Sequence, residues 1–287
     1  ILAQEPVPVY ADDDVETLAD RVLYEAEFSA YPRALRWFAS GDVDVETTDA
    51  GIPVSVTVDA DVGGAFPTRR LVSEDRAETL RYGENPHQDA ALYADATCAT
   101  ATVVGADQLN PGAKGMGYNN YNDADAALRL VAEFDDPAAA VIKHTNPAGC
   151  ATSETLADAY DRALRTDAKS AFGGIVALNR RCDADTAEAV AESFKEVVVA
   201  PDYTDSALDV LTAKQNLRVL AVGPLADAAE PSEQFTEKPL VGGRLVQERD
   251  TQSPTVDDLD VVTEREPTAA QLETMTFAWQ TIKHVKS

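Results

Sequence analysis

Ala140-Val141-Ile142-Lys143-His144-Thr145-Asn146-Pro147-Ala148-Gly149 passes from apolar to polar within one residue. The apolar run begins at Ala138 and predicts a buried strand ending at Ile142. Thr-Asn-Pro-Ala-Gly is turn chemistry, which puts Lys143 and His144 at the strand's end, on the rim of a sheet. Open α/β sheets bind ligands at strand ends of this kind. On these residues alone two readings stay open. Lys143 is either a solvated strand terminus with His144 a satisfied core histidine, or the pair is chemical machinery.

Composition narrows the classes. The 287 residues are enough for one large or two ordinary domains. There is no apolar run of membrane-spanning length and no signal-type stretch ahead of the first domain. The formal net charge is −26, with Asp and Glu spread along the chain, which argues against a nucleic-acid binder. Of the 24 basic residues, 16 are Arg and eight are Lys. Dispersed acidity with scarce Lys is expected of a protein adapted to high salt, where self-repulsion is screened. Cys98, Cys150 and Cys182 lie far apart with no C-x-x-C, so no disulfide framework or metal site is expected and a reducing, cytoplasmic setting is. The chain begins at Ile1 without Met and stops inside a helical pattern at Lys286-Ser287, so both ends read as cuts in a longer protein.

In the first segment, the cluster Asp12-Asp13-Asp14 precedes Val15, Leu18, Ala19, Val22, Leu23 and Ala26, an amphipathic helix with an acidic cap. A second helical piece covers Tyr31 to Phe38, with Pro32 suited to its first turn and Ser40-Gly41-Asp42 ending it. Ile52 to Asp59 alternates as a strand. Gly63 to Arg70 reads as a linker. Three strings in this segment, Ile1 to Val9, Glu16 to Val22 and Glu27-x-x-x-Tyr31-Pro32, resemble the C-terminal end of the glycinamide ribonucleotide (GAR) formyltransferase family. That family usually has His where Phe28 stands, and its catalytic residues lie upstream of this segment.

Further on, Leu80-Arg81-Tyr82-Gly83-Glu84-Asn85-Pro86-His87-Gln88 is a polar, conformationally specified loop with an Arg able to grip phosphate. Lys114 to Leu128 is a polar loop running into a helix that continues through Leu130, Val131 and Phe134. After the Lys143-His144 stretch, Gly173-Gly174 turns into the apolar strand Ile175 to Leu178, where absent Cβ atoms would let a ligand approach backbone. Lys195 to Pro201 is another strand, with Glu196 at its entrance. Gln215 to Leu220 and Val241 to Gln247 are strand-like, with an acidic stretch from Asp227 to Glu237 between them. Thr268 caps a last helix whose apolar set is Leu272, Met275, Phe277, Trp279 and Ile282.

Arg81-Tyr82-Gly83-x-Asn85-Pro86-His87-Gln88, the Lys114 string, Lys143-His144-x-Asn146-Pro147-x-Gly149, Gly173-Gly174 and Lys283-His284-Val285-Lys286-Ser287 fall in one order. Together they resemble the aminoimidazole carboxamide ribonucleotide (AICAR) transformylase family. Gly117 stands where that family more often has Ser. The resemblance covers roughly residues 73 to 287.

The resemblance implies an α/β fold, a cytidine-deaminase-like mixed sheet with flanking helices, preceded here by a helical and strand remnant of a formyltransferase domain. It implies domains at residues 1–62 (the remnant), 63–72 (linker) and 73–287 (the AICAR transformylase part, cut at its C-terminus). His144 would be the general base and Lys143 the transition-state stabiliser. Arg81, Tyr82, Gly83, His87, Asn120, Gly173 and Glu196 would bind the ribotide. The cosubstrate would be 10-formyltetrahydrofolate, no metal would take part, and the assembly would be a homodimer sharing sites across its interface. Neighbouring residues on an ideal strand point to opposite faces, so Lys143 and His144 can act together only if the chain turns there. The family's usual cyclohydrolase domain is replaced by the GAR formyltransferase remnant, which suggests a fusion of two formyltransferases. The fragment alone is expected to be inactive. The other readings are a non-catalytic ribotide- or phosphate-binding module and a purely structural domain; the ordered strings weigh against the latter.

Overall fold

The computed structural model describes residues 5–10, 12–40, 43–47, 53–58, 66, 74–95, 98, 101–225 and 235–286. The chain divides into two compact units, Ile1–Glu74 and Asp75–Ser287. In the first, helix α1 (Val15–Arg21) starts where the Asp14 carboxylate accepts the Thr17 N–H at 2.8 Å, the cap expected from the Asp cluster. The helix does not stop there. It runs through a π-helical stretch, Val22–Glu27, into α2 (Phe28–Ser40), so Pro32 lies inside a helix rather than in a first turn. Proline has no N–H to offer the Phe28 carbonyl four residues back, and Phe28 is where the wider π winding ends. Strand β1 (Val43–Thr47) pairs antiparallel with β2 (Pro53–Val58), Val43 opposite Val58; β1 had no counterpart in the sequence reading. Apart from Phe66, the expected linker at 63–72 lies outside the described residues.

The second unit opens with the antiparallel pair β3 (Asp75–Leu80) and β4 (Ala90–Ala94). The chain then forms β5 (Asp107–Gln108), α3 (Tyr118–Val131), β6 (Ala138–Lys143), β7 (Asn146–Thr152), α4 (Leu156–Thr166), β8 (Ile175–Leu178), α5 (Ala184–Ala191), β9 (Val197–Ala200), α6 (Asp205–Thr212) and β10 (Arg218–Ala221). Six of these strands make one sheet in the order β5-β10-β9-β8-β6-β7. Strands β8, β9 and β10 are parallel, while β5, β6 and β7 run antiparallel to their neighbours, so the sheet is mixed. A hairpin of β11 (Phe235–Leu240) and β12 (Gly243–Glu248) follows, then α7 (Ala269–Ile282). Val241 and Gly242, read as strand, instead form the turn of that hairpin, with Gly242 at φ 80°. Most of the acidic stretch before it lies outside the described residues.

The central strands read as unbroken apolar runs because both faces of the sheet are covered. Ala139 and Val141 face a core built with Leu156, Ala159 and Tyr160 of α4, Ala187 and Val190 of α5, and Ala207 and Leu211 of α6. Ala138, Ala140 and Ile142 face the other way, onto Ala124, Ala127, Leu128 and Val131 of α3. Each fully buried Val or Ile contributes about 1.5–3 kcal/mol over its exposed state. The three helices of the first face start at side-chain caps, where Thr155, Asp183 and Thr204 accept the N–H groups of Asp158, Thr186 and Ala207. Helix α4 lies so close to β7 that a Cβ on Gly149 would stand 1.9 Å from the Ala163 carbonyl oxygen. Buried Asn179 closes the α3–β6 connection: its amide donates to the Phe134 and Asp136 carbonyls at 2.8 Å each and accepts the Ala138 N–H at 2.7 Å.

Candidate functional site

Lys143 is the last residue of β6 and pairs with Asn146, the first of β7, leaving His144 and Thr145 as a two-residue loop. Both have positive φ, 55° and 63°. That is the sign pattern of the type I′ hairpin turn, which favours Asn and Gly. A His and a β-branched Thr there are strained, at a cost on the order of 1–3 kcal/mol each. The sequence predicts a turn over Thr145 to Gly149, and the structure corrects this: the turn begins one residue earlier and is far tighter, and Asn146 onward is strand. Pro147 is tolerated because β7 is an edge strand, and the register shift opposite Val141 and Ile142 leaves Ala148 as a bulge. The problem of adjacent side chains is thereby resolved, since His144 has already left the strand when it follows Lys143.

One carboxylate braces the loop. Asp123, in the second turn of α3, accepts the His144 N–H on Oδ2 at 3.1 Å and the Thr145 N–H on Oδ1 at 2.7 Å. Thr145 Oγ1 donates to the His144 carbonyl at 2.7 Å, and Asn146 Oδ1 accepts the Lys286 N–H at 2.7 Å. Lys143 Nζ donates to the Phe172 carbonyl at 2.9 Å. The next residue, Gly173, has φ 69° and gives its N–H to the Phe194 carbonyl, while the Glu196 N–H bonds the Gly174 carbonyl. Glu196 Oε2 accepts Asn120 Nδ2 at 2.8 Å, and Asn120 Oδ1 accepts the Gly117 N–H at 3.1 Å, so Asn120 both caps α3 and aims the Glu196 carboxylate. Lys143, Gly173, Glu196 and Asn120 therefore form one connected edge. It lies at the C-terminal end of β6 and the N-terminal ends of parallel β8 and β9. Gly174 serves packing rather than ligand approach, because a Cβ there would stand 2.8 Å from the Ile142 carbonyl oxygen.

A concavity of about 470 Å³ adjoins this edge, lined by Lys143, His144, Asn146, Pro147, Asp167 and Ser170 among others. The Ser170 hydroxyl and N–H bond Asp167 at 2.6 and 3.0 Å and hold its carboxyl below the usual range. On β7, burial pushes the Cys150 thiol up to about 12.

The loop Arg81–Gln88 is built differently. It closes on itself: Gly83 N–H bonds the Gln88 carbonyl at 2.8 Å, and Gln88 Oε1 accepts the Asn85 N–H at 2.8 Å. Gly83 is buried, and a Cβ on it would meet the Gln88 Cβ at 3.1 Å, so its role here is in the loop's own closure. Arg81, Tyr82 and His87 are exposed, with the Arg81 guanidinium 5.7 Å from the Tyr82 ring centre. Asn119 Nδ2 reaches the Glu84 carbonyl at 3.4 Å, and Tyr121 Oη donates to Glu78 of β3 at 3.0 Å, tying the loop to the same end of α3. Among the described residues no hydrogen bond or ion pair joins Arg81, Tyr82 or His87 to Lys143 or His144.

The sequence reading missed Asp123, Asn146 and the Phe172 carbonyl. Asp123 left a signal: it follows Asn120 by three positions in a helix, so both side chains share one face. Among the described residues no helix is long and apolar enough to cross a membrane, and no group of three or more His, Cys, Asp or Glu is placed to hold a metal ion.

The family described as the AICARFT/IMPCHase bienzyme matches residues 46–287, so the match starts ahead of residue 73 and takes in part of the segment 1–62. The chain is 45% identical over 226 residues to the bifunctional purine biosynthesis protein PurH of Halalkalibacterium halodurans, covering 79% of this chain and 43% of that protein. It is 48% identical over 237 residues to the protein of the same name from Paracoccus denitrificans, with 82% and 44% covered, and 43% identical over 226 residues to that of Bacillus subtilis, with 79% and 43% covered. The chain thus spans less than half the length of these curated relatives.

Proposed function

The chain belongs to the AICARFT/IMPCHase bienzyme family, and from that premise we propose that it carries the formyl-transfer half of the reaction pair, passing a formyl group from 10-formyltetrahydrofolate to the 5-amino group of AICAR in purine biosynthesis. The observation that carries this reading is the rim at which Lys143 and His144 emerge side by side, one ending a buried strand and the other opening a strained turn.

The amine of an aminoimidazole carboxamide is a poor nucleophile, because its lone pair is delocalised into the ring and the amide. As its nitrogen bonds the formyl carbon, His144 takes the amine proton; a neutral imidazole suits that at neutral pH. The oxygen of the tetrahedral intermediate becomes anionic, and Lys143, anchored by one N–H to the Phe172 carbonyl, offers it a further ammonium proton. The carbon–nitrogen bond to the folate then breaks, and the departing nitrogen takes up a proton to give tetrahydrofolate and the formylated ribotide. Arg81 and Tyr82 hold the ribotide from the Arg81–Gln88 loop, with His87 assisting. Gly173 and the Glu196–Asn120 pair take the ribotide at the sheet edge, where Glu196 accepts from a ribose hydroxyl or the amide. Holding both substrates together supplies several kcal/mol, on the order of an effective-molarity effect.

The same reading includes a cytidine-deaminase-like fold for residues 73–287, a homodimer, chemistry without a metal, and a cytoplasmic, salt-adapted protein. The segment 1–62 is assigned as a remnant of a GAR formyltransferase domain joined by a linker at 63–72; its residues from 46 onward fall within the family match. No cyclohydrolase role is assigned to any residue described above. The test is a formyl-transfer assay on the full-length protein with AICAR and 10-formyltetrahydrofolate at high salt, with His144→Ala beside the wild type. Turnover that drops by roughly 10²-fold or more in the variant is the expected result. Ribotide binding by a wild type that never transfers formyl would make it a binding module instead.

A further inference from the structure

We propose that Asp123 is the positioning residue of this site: its carboxylate holds the His144–Thr145 turn in the left-handed conformation that sets His144 beside Lys143. This rests on the formyl-transfer reading and deepens it. Two consecutive residues with positive φ turn their N–H groups toward the same side, a concavity that attracts an anion. Here the protein fills that concavity with its own side chain, one carboxylate oxygen for each N–H, at 3.1 and 2.7 Å. The match of two acceptors to two donors explains why the residue is an Asp. An Asn could satisfy one N–H only, and its own NH2 would face the other.

The brace is needed because the turn is made of the wrong residues to hold itself. Without the carboxylate, His144 and the β-branched Thr145 favour negative φ, and relaxing to it swings the imidazole off the rim. Asp123 is itself well fixed. It sits on a helix whose opposite end is buried through Leu128, Leu130 and Val131, and whose first turn is anchored by the Asn120–Glu196 bond. Asp123 touches neither reacting atom in this scheme, and it acts only through the turn.

The experiment compares wild type, Asp123→Asn, Asp123→Ala and the double variant Asp123→Ala/Thr145→Gly in the full-length protein. It measures kcat and KM for AICAR, the thermal unfolding midpoint, and the hydrogen-exchange rate of the Thr145 amide. Displacing a catalytic group by about 1 Å costs roughly 10²-fold, so kcat falls by about that factor in both single variants while KM for AICAR stays within about twofold. Thr145→Gly supplies positive φ without a brace and restores kcat at least about tenfold in the double variant. A residue that merely stabilised the fold would lower the unfolding midpoint without that rescue. Asp123→Asn, nearly isosteric, carries the test if Asp123→Ala does not fold. Wild-type turnover that survives Asp123→Ala, a defect confined to KM, or failure of the glycine to rescue overturns the assignment of Asp123 alone. Absence of turnover in the wild type overturns the formyl-transfer reading and this proposal with it.

Discussion

The Lys143–Asn146 hairpin and the Arg81–Gln88 loop both surround residues of the proposed site, and they are built on opposite plans. The hairpin is strained and braced from outside, by Asp123 on α3 and by the Lys286 backbone beyond α7. The loop is relaxed and braced from within, through Gln88; its proposed ribotide-binding side chains Arg81, Tyr82 and His87 are exposed, as His144 is. Proton transfer and oxyanion stabilisation tolerate little displacement, whereas gripping a phosphate with a long Arg side chain tolerates more. On the roles proposed for the two regions, the difference teaches that strain is placed where chemistry needs one geometry, and adaptability where recognition needs reach.

The contrast can be broken in several ways. Lys143→Ala should cost roughly 10²- to 10³-fold in kcat with little change in KM, read by steady-state kinetics, as for loss of an oxyanion donor. A KM defect instead would erase the division of labour. Gly149→Ala should lower stability by about 3 kcal/mol in denaturant unfolding, because α4 and β7 cannot keep their approach around a Cβ. Arg81→Ala should raise KM for AICAR by roughly ten- to a hundredfold at near-constant kcat, the loss of a hydrogen-bonded ion contact. Gln88→Ala should loosen the loop by about 1 kcal/mol and raise KM a few-fold, leaving the hairpin's Thr145 amide as protected from exchange as before. Acid should separate the two regions as well. Burial opposes ionisation of Glu133, but hydrogen bonds from His284 at 2.8 Å and Lys283 at 2.8 Å outweigh it and hold the carboxyl below its ordinary 4.5. The stability this contributes is present above 4.5 and fades as pH falls through the lowered value. Hairpin exchange should therefore rise in that acid window, and Glu133→Gln should remove the step.

Much of this layout was legible from residue order. The run Ala138–Ile142, the Gly-Gly turn before Ile175 and the Thr268 cap announce themselves through local chemistry, and each is found where the sequence puts it. Strand β1 and helices α4 to α6 went unread, although Thr155, Asp183 and Thr204 are ordinary capping residues. The positive φ of His144 and Thr145 was not legible at all. Neither residue type favours it, and the cause lies in a side chain 21 positions earlier for His144 and 22 for Thr145. Pro32 misled for a similar reason, since a π-helical stretch upstream changes what a proline costs.

Helix α3 carries Asn120 and Asp123 near its start, while Glu133, just past its end, holds Lys283 and His284 with only 11% of its own side chain exposed. Its 14 residues make a bar about 20 Å long, on which a tilt of about 3° moves the far end by about 1 Å. That is the displacement at which a catalytic group already falters. On the roles proposed for Lys143 and His144, α3 is thus a lever held at both ends, by the Asn120–Glu196 bond beside Asp123 and by the ion cluster about 20 Å away, so a loosened distant end reaches the turn as a tilt.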